Sequence, residues 1–241
     1  MRVKAKILAG AVALALAAPA VTAKPAGPIG AAVADKARPA DDTARDAARK
    51  PAEMLAFAQV RAGMKIGELL PGTGYFSRLF AKAVGPRGTV YAWLPGTGPG
   101  RMTERFDPIL KAYPNVKLVR GDAITAPEKL DMIWTSQNYH DLYLRGGNAD
   151  ATNKAAFAAL KPGGTYLVVD HRGAAGTGTS EAGTLHRIDE AAVISTVLKA
   201  GFVLDDESMA LRRAEDDHTQ PVFKLHDVTD QMVLRFRKPL K

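Results

Sequence analysis

The 241-residue chain is expected to fold as an α/β protein: a central, mostly parallel sheet with helices on both faces and an antiparallel strand pair at the C-terminal end. Three observations predict this. Short aliphatic, β-branched runs alternate along the chain with stretches whose apolar residues recur every three to four positions. The stretch Met64 to Trp93, MKIGELLPGTGYFSRLFAKAVGPRGTVYAW, holds strand, glycine turn, helix, second turn and second strand in immediate succession. Two late apolar runs have no helical pattern between them, as expected of antiparallel neighbours. Strands alternating with helices favour a parallel sheet buried on both sides.

The elements follow in order. Residues 1–23 have a basic start (Arg2, Lys4, Lys6), an apolar run from Ile7 to about Ala20 and small residues ending Val21, Thr22, Ala23. That is the layout of a secretory signal peptide cleaved after Ala23, and the run is short and alanine-rich for a retained membrane span. Without a nearby cysteine a lipid anchor is excluded, so the expected location is outside the cytoplasm, in a periplasm. Residues 24–40 are rich in alanine, proline and glycine and read as a flexible lead-in to one domain over 41–241. Asp41 to Ala58 is expected to be helical, with Pro51 suited to the first turn of a new helix. Lys65–Leu69 is the first strand. Tyr75–Val84 is the helix behind it, with Phe76, Leu79, Phe80 and Ala83 on one face.

Thr89–Trp93 follows as strand two after the turn Gly85-Pro86-Arg87-Gly88. Leu94–Gly100 is a loop, Arg101–Tyr113 a helix, Val116–Arg120 strand three and Leu130–Ser136 strand four. Ala151–Leu160 is a helix closed by Lys161-Pro162-Gly163-Gly164, and Thr165–Val169 is strand five. A glycine- and threonine-rich loop leads to a helix from about Asp189 to Ala200, with Asp189 a natural N-cap. Phe202–Ser208 and Met232–Lys238 close the sheet as the antiparallel pair. This order is the layout of a Rossmann-like class I methyltransferase fold.

Composition narrows the function. The absence of cysteine excludes disulfides, thiol nucleophiles and cysteine metal sites. Cleavage would remove three positive charges from the net +8, leaving +5. That charge is spread along the chain without basic blocks or interleaved aromatics, so no nucleic-acid partner is expected. No G-x-S-x-G is present, which argues against a serine hydrolase.

The glycine turn places bare N–H groups and a helix N-terminus at the carboxyl edge of the sheet, where open α/β folds bind ligands. Leu70 stands where a dinucleotide-binding G-x-G-x-x-G would have its first glycine, and Phe76 and Ser77 do not supply the third. A carboxylate closing strand one, Glu68, instead suits the amino group of a ligand such as S-adenosylmethionine. Pro71, Gly72, Thr73, Gly74 and Tyr75 frame that site; the bland reading is a tight turn that binds nothing. Strand two ends in Trp93, Leu94 and Pro95, with no acid to take ribose hydroxyls. Trp93 either covers an adenine or fills the core. Asp122 either receives the adenine amino group or caps a helix.

The segment Thr135 to Tyr143, TSQNYHDLY, lies past strand four at the same edge. His140 beside Asp141 can serve as general base toward a hydroxyl or amine, or simply sit in a solvated loop. Four histidines (His140, His171, His186, His218) have acids within three residues and invite a metal reading. No pair has a spacing such as H-x-x-x-H, so a metal-dependent enzyme on this His/Asp cluster stays a lesser alternative and no metal ligand is assigned.

The segments ELLPGTGYFSRLFAKAVGPRGTVYAW, DMIWTSQNYHDLY, ALKPGGTYLVVDHR, LHRIDEAAVISTVLKAGF and DDHTQPVF resemble a family of exported bacterial proteins described as predicted class I S-adenosylmethionine-dependent methyltransferases. The resemblance covers residues 45–239 in most part. It implies that S-adenosylmethionine is the cofactor, with Glu68, Gly72 and Gly74 at its methionine end and Asp122 near its adenine. It also implies that the segment from Asn138 to Asp141 faces the substrate; the expected acceptor is a small molecule or an envelope component. The competing expectation is a periplasmic ligand-binding protein on the same fold without turnover, since S-adenosylmethionine is made in the cytoplasm.

Overall fold

A computed structural model describes residues 27–96, 101–121, 124–144, 146–225 and 227–241. The proposed signal peptide and Asp122 lie outside the described residues. The N-terminal helices are α1 (Gly27–Val33), α2 (Ala40–Ala44), α3 (Asp46–Arg49) and α4 (Pro51–Phe57), followed by β1 (Lys65–Leu69), α5 (Tyr75–Val84) and β2 (Thr89–Leu94). Then come α6 (Arg101–Ala112), β3 (Val116–Arg120), β4 (Leu130–Ser136), α7 (Ala149–Ala159), β5 (Leu160–His171), α8 (Glu190–Lys199), β6 (Val203–Glu207) and β7 (Gln231–Arg237). The strands form one sheet in the order β3-β2-β1-β4-β5-β7-β6. The first five run parallel; β7 is antiparallel to β5 and to β6. The expected fold class, including the terminal antiparallel pair, is the one observed.

Alternation of side chains along the strands divides the core in two. Met132 and Trp134 of β4, Leu167 and Val169 of β5 and Val233 of β7 join one cluster, completed by Phe76, Leu79, Phe80 and Ala83 of α5. Ile133, Tyr166, Val168, Leu234 and Phe236 join the other, with Val193 and Val197 of α8. Trp134 carries the first cluster, its ring centroid 4.6 Å from Phe76 and 5.4 Å from Phe80.

Three expectations are revised. Residues 27–40, read as a flexible lead-in, contain α1, whose Ala32 is fully buried in the first cluster beside α5. Alanine-rich composition reports helix propensity as well as flexibility, and packing decides between them. The new helix expected at Pro51 is there as α4, after Lys50 with φ +44, but the helical stretch before it is two short helices, α2 and α3, where one was expected. The expected turn Lys161–Gly164 is an excursion inside a longer strand: Leu130 pairs with Leu160 but Met132 pairs with Thr165. The expected N-cap at Asp189 is formed, its carboxylate accepting the Ala191 N–H at 3.0 Å.

Gly72 (φ +57) and Gly74 (φ +78) make the turn between β1 and α5. A Cβ on Gly72 would meet nothing within 4 Å, whereas one on Gly74 would fall 2.2 Å from Ile109 Cδ1. Gly72→Ala is therefore expected to cost about 1 kcal/mol for left-handed backbone alone. Gly74→Ala adds a displaced Ile109 and should cost roughly 2 kcal/mol or more. Urea unfolding of both variants checks this ordering; equal losses would contradict it.

Candidate functional site

Parallel strands β1, β2, β4 and β5 all end on one edge of the sheet, so their following turns converge there. Two of these turns are held in left-handed backbone by non-glycine residues, Leu70 (φ +50) after β1 and Gln137 (φ +61) after β4. Such conformations cost on the order of 1–3 kcal/mol each and persist only where surrounding contacts impose them. Here they do: Leu70 N–H donates to Trp93 O at 3.0 Å, and Gln137 N–H donates to Val169 O at 2.8 Å. The Asn138 amide nitrogen donates to Leu70 O at 2.6 Å, tying the two turns together, and Thr135 Oγ1 donates to its amide oxygen. Of the seven such residues described, Leu70, Gln137, His186 and Asp227 line the cavities below.

A cleft of about 480 Å³ opens between these turns. Glu68, Pro71, Gly72, Thr73, Tyr75 and Asn138 of the expected site line it, with Asp141 at its far side. Gly74 does not; it is buried, its N–H donates to Pro71 O at 2.8 Å, and it is the residue that caps the start of α5. Leu94 and Pro95 line the cleft where β2 ends. Trp93 instead lines a second cavity of about 450 Å³, with Leu70, Pro95, Ile124, Asp141 and Leu142. It is nearly buried and packs in the second core cluster, so both of its expected roles are compatible with its place.

Residues not singled out from sequence complete the cleft. Arg49 is buried and its guanidinium sits 4.5 Å from the Tyr75 ring centroid while donating to Gln137 Oε1 at 2.6 Å. Burial, then the neighbouring Arg45, lowers its pKa to about 10. Arg45 lines the cleft too, paired through two hydrogen bonds of 2.6 and 2.5 Å with Asp227. The Tyr75 hydroxyl donates to Asp46 at 2.7 Å, and Arg38 grips the same carboxylate at 2.8 and 2.6 Å. The four-residue spacing of Arg45 and Arg49 was legible in sequence, but nothing in it says that they face the glycine turn.

Glu68 is buried and accepts a hydrogen bond from Ser77 Oγ. Burial pushes its carboxyl up to about 8, against the Ser77 hydrogen bond and the positive charges of Arg49 and Arg78.

Beyond Asp141 lies a third cavity of about 460 Å³, lined by Gln137, His140, Asp141, His171, His186 and Phe223 among others. Asp170, fully buried at the end of β5, accepts the His140 backbone N–H at 2.7 Å and the His171 N–H at 2.8 Å. It also meets His140 Nδ1 at 3.0 and 3.1 Å. Burial opposes charging either partner, yet His140 is raised and Asp170 held below the ordinary range because each faces the other. Burial raises Asp141, partly offset by His140. The expected pair His140 and Asp141 is thus brought together, with His140 Nε2 turned to Asp141 Oδ1 at 3.4 Å.

His171 and His218 have other partners. His171 Nδ1 meets Thr229 Oγ1 at 2.7 Å, and burial lowers its pKa to about 4. His218 Nε2 meets Asp230 at 3.0 Å.

No family model matches the chain. It is similar to the ubiquinone/menaquinone biosynthesis C-methyltransferase UbiE of Neisseria meningitidis, 33% identical over 119 residues, which cover 47% of this chain and 45% of that protein. The chain thus spans about half the length of the relatives it matches. Its fold matches that of a SAM dependent methyltransferase from Aquifex aeolicus (16% identity, TM-score 0.59, 82% of this chain and 94% of that one). It also matches an S-adenosylmethionine dependent methyltransferase from Mesorhizobium loti (15% identity, TM-score 0.56, 79% and 98%). At these identities the likeness establishes the Rossmann-like class I methyltransferase fold.

The state of Glu68 has a consequence for stability. The folded chain keeps a proton on Glu68 up to about pH 8, whereas the unfolded chain releases it near 4.5. Between those values the folded state binds the extra proton, so this group's contribution to stability is complete below the lower value and lost as pH rises, by up to ~1.4 kcal/mol per unit. Glu68→Gln should therefore match the parent near pH 4.5 and exceed it in urea unfolding at pH 8. A variant less stable than the parent at pH 8 would contradict a buried neutral carboxyl.

Proposed function

We propose that the protein is an exported S-adenosylmethionine-dependent methyltransferase acting on a small molecule or an envelope component. The observation that carries this reading is the presence, in one cleft at the carboxyl edge of the sheet, of both a buried carboxyl and a buried guanidinium beside a glycine turn. Glu68 and Arg49 offer complementary partners for the amino and carboxylate groups of an amino-acid moiety. The α5 N-terminus and the exposed backbone of Gly72 and Thr73 add N–H donors on the same side. The cleft volume falls within the range of ordinary cofactor sites, roughly 300–1,000 Å³. The apolar cavity of Trp93, Ile124 and Leu142, which shares Leu70 and Pro95 with the cleft, suits the adenine. The similarity to a C-methyltransferase supports the same reading.

When bound, S-adenosylmethionine supplies a methyl group activated on a sulfonium. The chain's own task is then to align an acceptor and remove its proton. Asp141 borders the cleft and both other cavities, so the histidine cavity beyond it is our candidate for the acceptor. Asp170 fixes the His140 ring from behind and leaves Nε2 facing that cavity, beside Asp141, to take the proton. Export rests on the basic and apolar N-terminal sequence; no described helix is long and apolar enough to cross a membrane.

Calorimetry with S-adenosylmethionine and S-adenosylhomocysteine tests the proposal, and no binding at millimolar ligand would sink it. Glu68→Ala is expected to weaken binding about tenfold, near 1.4 kcal/mol for one charge-assisted contact. Because an ammonium group selects the ionised carboxylate, binding at pH 7 should release a proton, visible as a dependence of the heat on buffer ionisation enthalpy. Binding heats that are the same in all buffers would mean that Glu68 does not meet the amino group.

A further inference from the structure

Three side chains at the mouth of the histidine cavity come from two segments far apart in sequence: His140 and Asp141 from the tight helical turn after β4, and His186 from the loop between β5 and α8. One ligand-type atom from each lies within 4.8 Å of the others. His140 Nε2 is 3.3 Å from His186 Nδ1 and 3.4 Å from Asp141 Oδ1. An ion bonded to imidazole nitrogen and carboxylate oxygen at about 2.0–2.2 Å in tetrahedral geometry needs ligand atoms about 3.3–3.5 Å apart. Both measured separations are that edge length. We propose that His140, Asp141 and His186 form a binding site for a divalent transition-metal ion, zinc foremost.

Three further observations support the assignment. Asp170 engages His140 Nδ1 at 3.0 and 3.1 Å, which puts the ring hydrogen on Nδ1 and leaves the Nε2 lone pair facing His186 and Asp141. A carboxylate behind a ligating histidine is the usual means of fixing ring and tautomer at metal sites. His186 is held in strained left-handed backbone (φ +55), with its ring edge-on to Phe223 at 4.6 Å, so its position is imposed by its surroundings. All three residues also line the third cavity, from which a further ligand would reach the ion, as at sites with an open position. Two imidazoles with one carboxylate favour a first-row transition ion over magnesium or calcium, which take oxygen shells. No H-x-x-x-H spacing marks the site because the three residues are an adjacent pair and a histidine brought in by tertiary folding.

The ion site stands on this geometry alone. Its consequence rests on the methyl-transfer reading and changes one step of it: with the ion bound, an acceptor hydroxyl coordinated to it would lose its proton to solvent, and His140 would act as the base only in the ion-free chain.

The full chain, stripped with chelator, should be titrated with Co²⁺ and read by the visible bands of tetrahedral cobalt, then with Zn²⁺ in competition. One equivalent is expected to bind, and His186→Ala and Asp141→Asn should each weaken it at least about tenfold. His171→Ala, which alters the same cavity but supplies no ligand, should leave affinity within about threefold. Circular dichroism confirms that each variant is folded. No cobalt bands and no zinc uptake at excess metal would overturn the proposal, as would uptake indifferent to both ligand substitutions. Binding of S-adenosylmethionine to the stripped chain, measured separately, tells failure of the ion site from failure of the methyl-transfer reading.

Discussion

A carboxylate taken out of water must be neutralised or fully hydrogen-bonded, and the completely buried Asp170 satisfies this at the end of β5. It takes two backbone N–H groups and one imidazole, and thereby decides the path of the chain after β4. From that point the turn is determined. His140 presents Nε2 outward, Asp141 reaches the junction of three cavities, and Asn138 stitches the turn to Leu70 across the cleft. A neutral residue at Asp170 would leave those donors without a charged acceptor, and the site would lose its frame before losing any ligand contact.

The cleft concentrates what a stable protein ordinarily avoids. Glu68 is an acid whose environment favours the neutral form, and Arg49 a base whose charge is disfavoured by burial. Leu70 and Gln137 hold left-handed backbone. Sheet packing tolerates these costs: Trp134, Phe76 and Phe80 on one face and Tyr166, Phe202 and Phe236 on the other are buried beneath them. Strain and charge together at a strand edge are features of a site that waits for a partner.

Much of this was legible in the chain. Glu68 and the Gly72–Gly74 turn named the cleft, because only a strand closing into a left-handed turn and a helix needs that succession. The α5 face and the Asp189 cap followed from periodicity and capping chemistry. What was not legible came from distant segments. Arg45 and Arg49 lie in a stretch whose helical spacing does not disclose what it faces, and the packing of α1 on α5 reversed the reading of an alanine-rich segment as flexible. Spacing rules for metals likewise find ligands on one element and miss a pair joined to a loop 46 residues away.

The sequence by itself determined the order of strands and helices, the terminal antiparallel pair and the address of the ligand turn, since these depend on local periodicity and turn chemistry. Tertiary structure alone decided which polar groups share a site. The placing of Glu68 and Arg49 in one cleft and the gathering of His140, Asp141 and His186 near Asp170 depend on sheet order and burial. Those set distances and protonation states that no linear spacing encodes.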